Sequence, residues 1–195
     1  MSLRVIAGRF RGRQLQATRG SLTRPLRAPV REALFNVLGD RVEDAHVWDL
    51  FAGTGATGIE ALSRGAAAVT FVEKSNAALS VLRSNLDLVG VDEEEAMVVK
   101  GDAWQTDLLA EDEFVADLVF VDPPYRAVAE DPVRAACFAA ELAGVIAPGG
   151  LLCFHFEDGL LDEDDFDDHL AVELRSWGRT AMALIEADGA ARAGR

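Results

Sequence analysis

A chain of 195 residues, half of them hydrophobic, has enough apolar mass for one domain with a full core, and too much for disorder to be the default. No apolar run nears the ~20 residues of a membrane-spanning helix, and the first stretch is Arg-rich rather than apolar, which predicts a cytoplasmic protein without a secretory leader. The net charge of −14 would discourage a nucleic-acid partner if it were spread evenly, but Arg4, Arg9, Arg11, Arg13, Arg19, Arg24, Arg27 and Arg31 give residues 1–31 a charge of +8 with no acid, while the remaining 11 basic and 33 acidic residues carry −22.

A basic arm on an acidic body suits a polyanion, because guanidinium groups take phosphate bidentately. Along that arm, Leu3 to Gly8 reads as a short strand, Arg9-Phe10-Arg11-Gly12 as a turn and Arg13 to Gln16 as a return strand. Such a hairpin is marginal alone and must dock on something. Phe10 among the arginines is either a stacking surface for a base or the anchor of the hairpin. Arg19 to Arg27 is a polar loop. Pro29 then suits the first turn of a helix whose Val30, Ala33, Leu34, Val37 and Leu38 recur at helical spacing, with Gly39 as its terminator.

From residue 46 strands and helices alternate, which implies a mostly parallel sheet. Val47 to Phe51 is the first strand, followed by the glycine loop Ala52 to Gly58 and a helix over Ile59 to Arg64. Val69 to Glu73 is the second strand, Ala77 to Leu88 a helix closed by Gly90, and Ala96 to Val99 the third strand, followed by Gly101-Asp102-Ala103. Residues 103–111 suit a short helix. Asp117 to Val121 is the fourth strand, Pro132 to Val145 a helix, Leu151 to Phe156 the fifth strand, and Leu170 to Trp177 with Thr180 to Ala187 a closing hairpin; Gly189 to Arg195 is expected to fray. Cys137 and Cys153 read as small buried hydrophobes in a reducing compartment. The acidic run Glu157 to Asp168 reads as a solvated loop, and His46, His155 and His169 form no ligand spacing, so no metal is assigned.

Two stretches carry chemistry. Gly53-Thr54-Gly55-Ala56-Thr57-Gly58 matches G-x-G-x-x-G, and Glu73 follows Gly53 by 20 residues, close to a dinucleotide fingerprint. Three features turn the reading from NAD to S-adenosylmethionine. Asp49 lies within the first strand, where an added anion helps an ammonium group and not a pyrophosphate. Asp102 adds a third acid, beyond the third strand, fit to accept from an adenine amine. No hydride-transfer residues are apparent. Asp49, Gly53, Gly55, Glu73 and Asp102, with the flanking Phe51, Lys74 and Ala103, are therefore the candidate cofactor residues. The second stretch, Asp122-Pro123-Pro124-Tyr125, follows a buried strand, where open α/β sheets bind ligands. Its two prolines oppose both a helix and a further ladder bond. The Asp122 carboxylate and the Pro123 carbonyl can accept the two N–H hydrogens of an amino group on a flat ring, and Tyr125 can stack on that ring.

At these motifs the chain resembles the class I methyltransferases with an amino-methylating D-P-P-Y motif, and more narrowly the RsmD-type 16S rRNA guanine-N2 methyltransferases. The carrying segments are Arg4 to Arg13, Thr23-Arg24-Pro25, Val30 to Leu38, Asp49 to Gly55, Gly58 to Gly65 and Phe120 to Tyr125. Leu26-Arg27-Ala28-Pro29 departs from the family's usual run ahead of the V-R-E helix. The resemblance implies a Rossmann-like α/β fold, a seven-stranded mostly parallel sheet with helices on both faces and an N-terminal β-hairpin extension. Its expected division is a basic RNA-binding extension over 1–28, a methyltransferase domain over 29–188 and a tail over 189–195. It implies methylation of one guanine of 16S rRNA, within a 30S assembly particle, by a monomer. Arg4, Arg9, Phe10, Arg11, Arg13 and Arg24 are the expected RNA contacts. Asp122, Pro123 and Tyr125 are the expected catalytic group. Rival readings are an amino methyltransferase acting on DNA or on a protein glutamine, an NAD-dependent oxidoreductase, and a catalytically idle rRNA-binding assembly factor.

Overall fold

The computed structural model describes residues 3–18, 26–105 and 115–187. Arg19 to Arg24, most of the helix expected over 103–111 and the tail lie outside these. The chain forms two compact units, Met1–Ala103 and Trp104–Arg195.

In the first unit a hairpin of β1 (Leu3–Arg4) and β2 (Gln14–Leu15) precedes α1 (Ala28–Leu38). Its strands are shorter than expected. Pro29 sits in the first turn of α1 as expected, and Gly39 caps its end at φ 53°. Then β3 (His46–Leu50), α2 (Ala56–Ser63), β4 (Ala68–Glu73), α3 (Asn76–Val89) and β5 (Ala96–Lys100) follow, with β3, β4 and β5 side by side and parallel. Leu79, Leu82, Leu86 and Val89 put one buried stripe on α3, whose first turn is capped by the Ser75 hydroxyl accepting from the Ala78 N–H.

The hairpin is built into this unit. Glu60 of α2, fully buried, accepts from the Ile6 N–H (2.8 Å), the Ala7 N–H (3.0 Å) and Arg64 Nε (2.8 Å). Ser63 donates its hydroxyl to the Ala7 carbonyl and accepts from the Phe10 N–H, while its own carbonyl takes the Arg9 N–H. Gly8 makes this approach possible: a Cβ there, at φ 79°, would lie 1.6 Å from the Ser63 carbonyl oxygen. Arg31 is fully buried, 3.7 Å from Glu60, and donates to the Arg4 and Leu26 carbonyls. Burial pushes its guanidinium down from the usual arginine range, with Glu60 opposing the shift. Arg31 therefore belongs to the core and is no part of the basic arm. Asn85 of α3, also fully buried, accepts from the Gln16 N–H and donates to the carbonyls of Gln16 and Thr54, joining the end of the hairpin to the glycine loop.

In the second unit β6 (Leu118–Val121), α4 (Tyr125–Glu130), α5 (Pro132–Ala143), β7 (Leu151–Glu157), β8 (Ala171–Trp177) and β9 (Thr180–Glu186) follow in order. β6 and β7 are parallel, and β9 runs antiparallel to both β7 and β8. β6 is buried along its whole length, as a strand covered on both faces must be. The acidic run forms the end of β7 and a capped 3-10 turn at Glu163–Asp165, held down by the buried Leu161 and Phe166. Cys153 is buried as expected. Cys137, on the outer face of α5, is exposed, which corrects the reading of both as core. Among the described residues no helix is long and apolar enough to cross a membrane.

Candidate active site

In the first unit the three parallel strands end together, and their carboxyl ends carry the expected cofactor residues. Asp49 is buried at 2% exposure, and its Oδ2 accepts from the Gly58 N–H at 2.9 Å, so it serves one of the otherwise unpaired amides at the start of α2. Phe51 directly follows β3 at φ 61°, a left-handed conformation unusual for a bulky residue. Glu73 ends β4, and its two oxygens accept from the Gly53 N–H (2.9 Å) and the Ser75 N–H (2.7 Å). One carboxylate thus shapes the glycine loop. Asp102, half-buried, pairs with Lys74 at 3.4 Å, and Ala103 beside it is buried. Asp49, Phe51, Gly53, Gly55, Glu73, Lys74, Asp102 and Ala103 therefore gather at one edge of a single three-stranded unit.

In the second unit Asp122, Pro123 and Pro124 leave β6, and Tyr125 opens α4. The prolines were expected to exclude a helix here. Instead Pro124 takes the N-cap position, where a missing N–H costs nothing, and its carbonyl accepts from Ala127. Among the described residues the Pro123 carbonyl receives no hydrogen bond. His155 of β7, which sequence reasoning set aside, contacts both flanking residues: its Nδ1 meets Asp122 Oδ1, and its Nε2 lies 2.9 Å from the Tyr125 hydroxyl. Thr180, the first residue of β9, lies 3.3 Å from the same hydroxyl. A His inside an apolar strand run carries no sequence signal of this role.

Of the expected RNA contacts, Arg4, Arg9, Arg11 and Arg13 are exposed, and Arg24 lies outside the described residues. Arg9 pairs with Glu95 at 2.6 Å, and Arg13 donates to the Leu88 carbonyl. Phe10 is 7% exposed under the Arg9 guanidinium, 4.5 Å from its ring centroid. Of its two readings this is the anchor, and its ring is not presented for stacking in this conformation. Among the described residues no group of three His, Cys, Asp or Glu side chains is arranged to hold a metal ion.

A family model described as Conserved hypothetical protein 95 matches residues 3–186, nearly the whole chain. The Escherichia coli protein named Ribosomal RNA small subunit methyltransferase D is 41% identical over 124 residues, 64% of this chain and 61% of that protein. The chain belongs to the RsmD-type family of rRNA methyltransferases. The solved structure of yhhF from Escherichia coli superposes on this member of the family with a TM-score of 0.77 at 32% identity, over 97% of this chain and 99% of that one. An RNA methyltransferase from Salinibacter ruber, solved with S-adenosyl-L-homocysteine, shares the fold alone at 17% identity, with a TM-score of 0.62 over 85% of this chain and 94% of that one. The fold is thus the Rossmann-like class I methyltransferase fold.

In this RsmD-type chain the glycine loop is shaped as much by packing as by backbone freedom. A Cβ on Gly58 would lie 2.4 Å from Phe71 Cε1 and 2.9 Å from Asp49 Oδ2. Gly58→Ala should therefore cost about 1–3 kcal/mol of stability by overpacking, read by urea unfolding, and it should displace the Asp49 carboxylate.

Proposed function

We propose that this chain transfers the methyl group of S-adenosylmethionine to the exocyclic N2 amine of one guanine in 16S rRNA, in the cytoplasm during small-subunit assembly. The observation that carries the reading is the acceptor turn. Asp122 presents a partly exposed carboxylate beside an unengaged Pro123 carbonyl at the carboxyl end of a buried strand, in a member of an rRNA methyltransferase family. The first unit fits the methyl donor. Asp49, Glu73 and Asp102 offer acids for an ammonium group, a ribose diol and an adenine amine. In the glycine loop, Thr54 Oγ1 is buried with no partner among the described residues, an orphan that a bound polar ligand would satisfy. When bound, S-adenosylmethionine supplies an electrophilic methyl group on sulfonium.

The chain's own residues must solve a different problem. The lone pair of a guanine N2 amine is delocalised into the ring, so the amine is a poor nucleophile. Asp122 and the Pro123 carbonyl accept its two hydrogens and favour a pyramidal nitrogen with its lone pair exposed. Tyr125 holds the base, which must leave its stack to be reached. The rate gain is then positional and electrostatic, with no proton removed before attack; the nitrogen becomes acidic once it carries the methyl group and gives its extra proton to Asp122.

The deciding experiment offers labelled S-adenosylmethionine with naked 16S rRNA, 30S particles, DNA and a glutamine peptide, and identifies the methylated product. N2-methylguanosine in rRNA supports the reading; label only in DNA or peptide, or none in any, defeats it. Arg9, Arg11 and Arg13 are assigned to rRNA phosphates. Replacing all three with Gln should weaken RNA binding and flatten its salt dependence, by about 0.7 in the slope of log K against log salt for each phosphate no longer neutralised on single-stranded RNA. Filter binding from low to high salt reads this, and an unchanged slope removes the arm from the interface.

A further inference from the structure

We propose that His155 is the positioning residue of the acceptor turn, one imidazole fixing both the carboxylate of Asp122 and the ring of Tyr125. The inference rests on the reading of Asp122 as the amine acceptor. The side chain of His155 is 5% exposed and that of Asp122 is 28% exposed. The imidazole therefore grips the carboxylate from its buried side and leaves the solvent side for substrate. His155 itself does not reach the reacting atoms.

The hydrogen bonds leave little choice of arrangement. An ionised Asp122 can only accept, so His155 Nδ1 must carry the proton and donate to Asp122 Oδ1. In the neutral ring Nε2 then has only a lone pair, so Tyr125 must donate its hydroxyl to it. The Tyr125 oxygen is left to accept from Thr180 Oγ1. The charge on Asp122 thus sets the direction of every bond as far as β9. Rotation of Asp122 about its side-chain bonds is arrested with one oxygen held, and the other is free to meet an amine hydrogen. The edge-on packing of Tyr125 against His155, centroids 5.1 Å apart, fixes the ring as well as its hydroxyl. Beside this run of bonds, Glu157 of β7 and Arg179 in the β8–β9 turn are paired with each other, and Arg126, next to Tyr125, is paired with Glu130.

Three replacements separate the two contacts. His155→Asn places an amide nitrogen near the position of Nδ1, keeping the hold on Asp122 and losing Tyr125. His155→Gln reaches the Tyr125 hydroxyl and releases Asp122. His155→Leu does neither. The Asn variant should keep kcat within a few-fold and raise KM for RNA. The Gln and Leu variants should lose about 10²-fold in kcat, the scale of a misplaced reacting group. S-adenosylmethionine affinity should be unchanged in all three. Equal losses in all three, or none, overturn the proposal. The wild-type protein gives a readout that needs neither activity nor a stable variant. Nitrogen-15 spectra of its three histidines, with His155 identified by its absence in the Asn variant, should show the Nδ1–H tautomer. An Nε2–H tautomer overturns the assignment. If the wild type methylates no RNA but shows Nδ1–H, the functional reading fails and the hydrogen-bond assignment stands; an active wild type with Nε2–H removes this inference alone.

Discussion

Asp122→Ala will lower methyl transfer to rRNA by about 10²–10³-fold, the usual effect of deleting one preorganised polar group at a reacting centre, and will leave S-adenosylmethionine affinity nearly intact. The two halves of this expectation have separate physical sources. The proposed donor-binding residues all lie in the first unit, on β3, β4, β5 and the turns that follow them, whereas Asp122 lies beyond β6 in the second. Asp122→Asn is the sharper test. His155 Nδ1–H will take the amide oxygen, as it takes Oδ1 now, and the amide nitrogen will then direct its hydrogens at the amine of the base. Two donors facing each other should make Asn no better than Ala, despite its nearly identical shape. Single-turnover transfer to 16S rRNA, with calorimetry for the donor, reads both variants; a fully active Asn variant would show that charge and acceptor capacity at this position are dispensable.

The largest structural effect is expected at Glu60. Its carboxylate is fully buried and serves two hairpin amides, the Arg64 side chain and the buried guanidinium of Arg31. Glu60→Ala leaves that guanidinium without its counter-charge, which costs about 3–5 kcal/mol for a buried pair broken on one side. Against the 5–15 kcal/mol typical of whole domains this is a large share. The double replacement Glu60→Leu with Arg31→Met removes both charges and should recover much of that loss, although the Ile6 and Ala7 amides remain unserved. Urea unfolding ranks the three proteins. Hydrogen exchange at residues 5–10 should speed up in both, since the hairpin amides lose their acceptor either way. Equal stability of the single and double variants would deny that the ion pair holds the charge of Arg31.

What could be read from the sequence follows a physical rule. The strands and helices were legible because their apolar residues recur at fixed periods, and the glycine loop and the D-P-P-Y turn because each packs its chemistry into a few adjacent positions. The chain says less where partners are distant. Asp122 meets His155 33 residues on, Ala7 meets Glu60 53 residues on, and Gln16 meets Asn85 69 residues on. His155 lies in an otherwise apolar strand, and Glu60 and Asn85 lie on helices where a polar residue ordinarily faces water. Arg31 misleads in the same way: it adds to the formal charge of the arm, yet it is wholly enclosed. Helix α4 was missed because two prolines usually end structure, and here they begin it.

The amide of Asn85 has a practical consequence for anyone exchanging arms between relatives to redirect them to another RNA. The peptide from Leu3 to Thr18 is not a detachable tool head, because its sockets are Glu60, Ser63 and Asn85, and the last of these also grips the Thr54 carbonyl. A chimera that imports the arm without its sockets would disturb the glycine loop proposed to hold the methyl donor as well as the arm itself, and its inactivity would say nothing about recognition.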